Sequence, residues 1–192
     1  MKKKIIFTIC FVSLFSVAIH AEAFKIGENR ASFGMGFGWK GKDQHRNTFG
    51  IPSPGMLIER SILPFKNFGF LSVGAQFGFH HSFNNRPIPI LGIEKQSWTS
   101  VYFVPRVALY FHEVFYDDDF PENIDLYGGV GFGFNVLSHK ISPTNEGLNE
   151  SGFQAGYHFF VGGRYYFKKQ ASVFAEIGYG LSFLNVGFTI RY

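Results

Sequence analysis

The stretch Leu184-Asn185-Val186-Gly187-Phe188-Thr189-Ile190-Arg191-Tyr192 sorts its side chains by parity. Leu184, Val186, Phe188, Ile190 and Tyr192 fall on one face of an extended strand, and Asn185, Gly187, Thr189 and Arg191 on the other. Such a period of two describes a strand with one face in an apolar medium and the other in a polar one. The sequence closes on an aromatic of the apolar face. A soluble domain has no general reason to end this way, whereas a sheet that closes on itself inside a lipid bilayer ends on such a strand.

Working back along the chain, the same alternation recurs near 31–39, 54–63, 68–80, 98–111, 124–136, 154–167, 172–181 and 184–192. Each segment is about the ~9–11 residues that a tilted strand needs to cross a bilayer, or slightly longer. An even number of antiparallel strands brings both ends of the ring to the same side. Near 31–39, Phe33, Met35, Phe37 and Trp39 oppose Ser32, Gly34, Gly36 and Gly38. Near 154–167, Ala155, Tyr157, Phe159, Val161, Tyr165 and Phe167 oppose Gln154, Gly156, His158, Gly162 and Arg164. In the second segment Arg60 falls among Met56, Ile58 and Ile62; near a strand end it can snorkel to the interface.

Alternation alone does not say which face points inward. A water-facing surface would be rich in Lys, Glu and Thr, but here the polar face is mostly Gly, Ser and a few charges, which suits the crowded interior of an eight-stranded barrel. The fold class expected is therefore all-β, an eight-stranded antiparallel up-and-down transmembrane barrel. Trp39, Trp98, Tyr110, Phe167 and Tyr192, near strand ends, are expected to form its interfacial girdles. Long polar connections at 40–53, 81–97 and 137–153 read as extracellular loops, and 64–67 and 168–171 as short periplasmic turns. The short 182–183 hairpin would be a very short outer loop, and the turn at 112–123 breaks the alternation of lengths.

The N-terminus carries Lys2, Lys3 and Lys4, then an apolar run from Ile5 to Ile19, then Ala21 and Ala23. This is the pattern of a secretory signal peptide, residues 1–21, cleaved after Ala21 or Ala23, with the barrel domain over 24–192. The only cysteine, Cys10, lies inside the leader, so the exported domain has to hold together without disulfides. Setting aside the three leading lysines reduces 18 cationic side chains to 15 against 14 acidic ones. With no concentrated basic stripe, nucleic acid is excluded as an expected partner. Roughly 170 mature residues suit one domain.

The segment Phe160-Val161-Gly162-Gly163-Arg164-Tyr165-Tyr166-Phe167, followed by Val173-Phe174-Ala175-Glu176-Ile177-Gly178-Tyr179-Gly180-Leu181-Ser182, resembles the small outer-membrane β-barrel domain proteins related to OmpX and the OmpA membrane domain. Asp125-Leu126-Tyr127-Gly128-Gly129-Val130-Gly131 looks like the fifth strand of that family. The likeness covers nearly all the mature chain and implies an outer-membrane location with both termini periplasmic. It also implies recognition by the barrel-assembly machinery through Val186, Phe188, Ile190 and Tyr192. One barrel hosts unrelated activities, so the resemblance speaks to fold more than to function.

Three constellations bear on chemistry. Glu59, Arg106, Asp125, Arg164, Glu176 and Arg191 fall on the inward face, where charges removed from water need partners. They read as a salt-bridge plug filling the lumen. Between 154–167 and 172–181, a register summing to 340 sets Arg164 opposite Glu176 and Phe167 opposite Val173. The second constellation is His80-His81-Ser82 with Glu94, similar to the His, Ser and Glu of lipid A acyl hydrolases of the PagL type. A hydroxyl nucleophile needs an imidazole base and a carboxylate to orient it. That family carries the motif near its C-terminus and has Asn after the serine, where this chain has Phe83. The third comprises Asp117-Asp118-Asp119, which lacks calcium-loop spacing, and His45, His112, His139 and His158, which lack zinc spacing; no metal or cofactor is expected.

Lys40, Lys42, His45 and Arg46 make the first outer loop basic and suited to lipopolysaccharide phosphates. The function expected is a non-enzymatic envelope or surface-interaction role through the outer loops, toward an extracellular ligand the sequence does not identify. The alternatives are a lipid A acyl hydrolase using His80, Ser82 and Glu94, and a narrow channel.

Overall fold

A computed structural model describes residues 26–38, 49–65, 68–84, 95–111, 121, 123–142 and 150–192. The proposed leader, Trp39, the basic cluster at 40–46, Glu94, His112 and Asp117-Asp118-Asp119 lie outside the described residues. Eight strands form one ring: β1 (Asn29–Phe37), β2 (Ser53–Phe65), β3 (Gly69–Asn84), β4 (Lys95–Tyr110), β5 (Ile124–Ser142), β6 (Glu150–Lys168), β7 (Ala171–Tyr179) and β8 (Leu184–Arg191). The two-residue segment Phe49–Gly50 adds a short pairing to the top of β3.

Each strand pairs antiparallel with its chain neighbour, and β8 pairs with β1, setting Phe188 opposite Phe33 and Ile190 opposite Ala31. The closing strand read from the sequence is thus the one that removes the sheet edge. The pairing spirals. From Arg164 it runs through Phe174, Gly187, Gly34, Gly55, Gly78, Tyr102 and Asn135 and returns to β6 at Gln154. A stagger of about ten residues over eight strands goes with a tilt of roughly 40°.

Parity holds around the ring. Phe33, Phe132, Phe153, Val161, Phe188 and Tyr192 stand on the exposed outer face, while Ser32, Glu59, Arg106, Asp125, Arg164, Glu176, Thr189 and Arg191 are buried inside. Arg60 is exposed on the outer face five residues before the end of β2, as its parity requires.

Several expectations need correction. Trp98 and Tyr110 share the parity of Arg106 and point into the lumen rather than to a girdle; Tyr110 is fully buried, and Trp98 stacks on His139 at 4.9 Å. Tyr192 does lie outside, 67% exposed. The ladders also run further than the alternating segments: β5 continues to Ser142, β6 begins at Glu150, and β3 and β4 pair out to Asn84 and Gln96. Much of the segments 81–97 and 137–153 is therefore strand rather than loop.

Candidate functional site

The inner face carries the chemistry of this chain, and its organising residue is Glu59. On the ladder that joins β1 to β5, Arg30 lies opposite Glu59, Glu59 opposite Gly74, Gly74 opposite Arg106 and Arg106 opposite Gly131. Glycine between the acid and the arginine leaves room for both long side chains to lean together. A Cβ at Gly74 would come within 2.6 Å of Glu59 Cγ. The same device recurs at Gly162, opposite Glu176, where a Cβ would lie 2.8 Å from Glu176 Cγ and 2.9 Å from the Tyr127 ring.

Three guanidiniums converge on Glu59. Arg30 Nε lies 3.3 Å from Oε2, Arg164 Nη2 3.6 Å from the same oxygen, and Arg106 Nε 3.8 Å from Oε1. Ser72 Oγ donates to Oε1 at 3.3 Å and the Tyr110 hydroxyl to Oε2 at 3.4 Å. Arg106 then forms a two-pronged bridge to Glu176, Nη2 to Oε1 at 2.8 Å and Nη1 to Oε2 at 3.2 Å. Tyr127 donates to Glu176 at 3.1 Å. Asp125 closes the set, 3.7 Å from Arg30 Nη1 and accepting from the Tyr166 hydroxyl at 2.9 Å.

Arg30, Arg106 and Arg164 thus face Glu59, Asp125 and Glu176, so the cluster is balanced in charge. Buried ions cost least when their charges are paired. Aromatic rings supply the rest of the enclosure. The Arg106 guanidinium sits 3.6 Å from the Phe160 ring centroid, and Arg30 sits 4.3 Å from that of Tyr110. Tyr110 is in turn stacked between Phe70 at 4.7 Å and Tyr127 at 4.9 Å. Planar guanidinium groups suit such stacking, which a lysine ammonium would not reproduce.

Arg164 does not lie opposite Glu176. The observed register sets Gly162 opposite Glu176 and Arg164 opposite Phe174, two residues away from the pairing expected: the turn pairs Lys168 with Ala171, and a one-residue irregularity between Tyr166 and Lys168 shifts the ladder once more. Tyr165, not Phe167, meets Val173. Glu176 takes Arg106 as its partner, and Arg164 turns to Glu59 and to the Tyr110 hydroxyl at 3.4 Å. Arg191 stands apart at the lower rim, donating to the Lys169 carbonyl and pairing with Glu28 at 3.1 Å. Arg30 was missed because β1 starts two residues before the alternating segment, although its parity with Ser32 and Gly34 was there to read. Tyr110, Tyr127, Phe160 and Tyr166 share the parity of the charges beside them.

Higher in the lumen the lining turns polar and mostly uncharged. His80 and Ser82 both face inward from β3, with Ser82 one strand period beyond His80. His80 Nδ1 bonds Ser53 Oγ of β2 at 2.7 Å. His81 faces the opposite way and bonds Thr99 at 3.0 Å. Asn135 donates to Ser100 at 3.3 Å, and Trp98 and His139 lie above them.

No protein-family model matches the sequence, nor does any curated protein. Solved structures do. The N-terminal β-barrel domain of Pseudomonas aeruginosa OprF is 9% identical, with 87% of this chain and 98% of that one covered at a TM-score of 0.50. Yersinia pestis Ail, the attachment invasion locus protein, in complex with the heparin analogue sucrose octasulfate, is 14% identical over 88% of this chain and 100% of that one, at 0.46. Neisserial surface protein A is 9% identical over 85% and 93%, at 0.43. At such identities the likeness is one of fold, and the OprF domain carries it. The chain has the fold of the small eight-stranded outer-membrane β-barrels.

Proposed function

We propose that this protein is exported by the leader at 1–21 and stands in an outer membrane, with both termini periplasmic, serving a non-enzymatic envelope or surface-interaction role through its outer loops. The observation that carries the reading is the contrast between the two faces of one closed ring. The outside is apolar from Phe33 to Tyr192, and the inside holds a balanced, aromatic-packed charge cluster centred on Glu59. Where its strands pair, a ring built this way satisfies its backbone in lipid. Its core is a packed plug that fixes the barrel as a platform, which supports a structural role over a channel. Val186, Phe188, Ile190 and Tyr192 are proposed as the signal read by the assembly machinery, and the basic residues Lys40, Lys42 and Arg46 as contacts for lipopolysaccharide.

Against lipid A hydrolysis, the imidazole of His80 is engaged by Ser53 rather than by Ser82. A deletion strain should show altered envelope permeability or surface adhesion, restored by the wild-type gene and also by a Ser82→Ala variant. Deacylation of lipid A by purified protein, lost in Ser82→Ala, would overturn the non-enzymatic reading.

A further inference from the structure

The β5–β6 hairpin stands higher than its neighbours on one side, and this opens the barrel wall. At Gly180 the backbone takes a φ of 114°, a conformation that glycine adopts freely, and the chain leaves the ladder to turn back toward β8. The β6–β7 pairing therefore ends at Phe159 opposite Tyr179, while β6 itself begins at Glu150. Among the described residues, the β7-facing side of β6 from Glu150 to Tyr157 has no strand along it, apart from the close approach of Gly180 to the Tyr157 carbonyl.

A cavity of about 470 Å³ sits at this opening. Its lining combines outer-face side chains, Phe153 and Tyr157 of β6 and Tyr179 of β7, with inner-face ones, Asn135 of β5 and Gln154 of β6. Successive residues of a strand point to opposite faces, so one cavity can touch Phe153, Gln154 and Tyr157 together only around the edge of β6. Deeper in, Tyr102, Val104 and Leu181 close the lumenal end as a small apolar cluster. Gly156 leaves the space open: a Cβ there would meet nothing within 4 Å.

We propose that this notch binds the acyl chain of a membrane lipid, admitted sideways from the bilayer into the upper wall of the barrel; the inference rests on the membrane location proposed above. Two observations select that occupant. The mouth is continuous with the exposed apolar belt, since Phe153, Tyr157 and Tyr179 are more than half exposed and lie in line with Phe159 and Val161. The inner wall offers amide groups at Asn135 and Gln154, and the strand edge offers backbone groups that hydrocarbon alone would leave without partners. A lipid meets both demands, placing hydrocarbon against the aromatics and the oxygens near its ester against the amides and the edge. The cavity falls within the roughly 300–1,000 Å³ of small-ligand sites.

The test is photochemical. Full-length mature protein is folded into vesicles of phosphatidylcholine bearing a diazirine in one acyl chain, irradiated, and mapped by peptide mass spectrometry. Adducts are expected on inward-facing Asn135, Gln154 and Tyr102 as well as on outward-facing Phe159 and Val161. In Gly156→Phe, whose ring fills the open space, the inward adducts should be lost and the outward ones kept. The wild-type map stands as a test in its own right should that variant fail to fold. Adducts confined to outward-facing residues would overturn the notch and leave the membrane barrel standing, whereas no adduct on either face would overturn both.

Discussion

Breaking the bridge between Arg106 and Glu176 separates this structure from other registers of the same strands. Both partners are buried, and their two contacts of 2.8 and 3.2 Å make a short, two-pronged link in the central cluster. Removing one member of a buried pair costs about 3–5 kcal/mol, because the other is left charged and unpaired. Glu176→Ala should fall toward the low end, about 3 kcal/mol, since Arg106 keeps Glu59 at 3.8 Å. Arg106→Ala strands Glu176 and also removes a neighbour of Glu59, so about 5 kcal/mol is expected. The double variant removes a balanced pair and should cost less than the sum of the singles by about 2–3 kcal/mol. Urea unfolding from vesicles, followed by tryptophan fluorescence with loss of the folded gel band as a second probe, measures the cycle. Arg164 with Glu176 should give a smaller coupling. Additivity for Arg106 with Glu176, or a larger coupling for Arg164 with Glu176, would refute the network as described.

Other outcomes follow from the same geometry. Gly74→Leu should destabilise the barrel by about 1–3 kcal/mol, because its side chain would occupy the space of Glu59, whereas Gly156→Ala should be neutral within about 0.5 kcal/mol; urea midpoints measure both. Deleting Phe188–Tyr192 removes about half of the pairs of β8 with β1 and β7, and folded protein should disappear from the outer membrane of expressing cells. Wild-type protein should give no steady large conductance in planar bilayers, and a stable open pore would favour the channel reading. Arg106→Lys should be markedly less stable than wild type despite keeping the charge, since an ammonium cannot reproduce the two-pronged bridge or the stacking on Phe160.

The parity of side chains made the fold legible from sequence. Phe33 against Ser32, Phe159 against His158 and Phe188 against Thr189 divide outside from inside with no knowledge of partners, and the inward charges from Glu59 to Arg191 follow. Register was legible only in outline. Parity restricts a pairing to steps of two; the turn pairs Lys168 with Ala171, and the one-residue irregularity beside it leaves β6 against β7 one such step from the register expected, with Arg106 rather than Arg164 as the partner of Glu176. Trp98 and Tyr110 lie near strand ends, where girdle aromatics stand, but their parity with Arg106 turns both inward. The notch beside β6 had no sequence signature of its own. It arises from unequal strand lengths on two sides of one ladder, and strand ends are set by turns such as Gly180 rather than by alternation.

Eight strands that close into a ring should hold it in lipid as one compact unit. The most direct test is electrophoresis of the native protein after cell fractionation, with each fraction run unheated and boiled. The structure predicts recovery in the outer-membrane fraction, with an unheated band that migrates faster than the boiled one because the closed ring stays compact. Recovery in the soluble periplasmic fraction, with the same mobility before and after boiling, would contradict it.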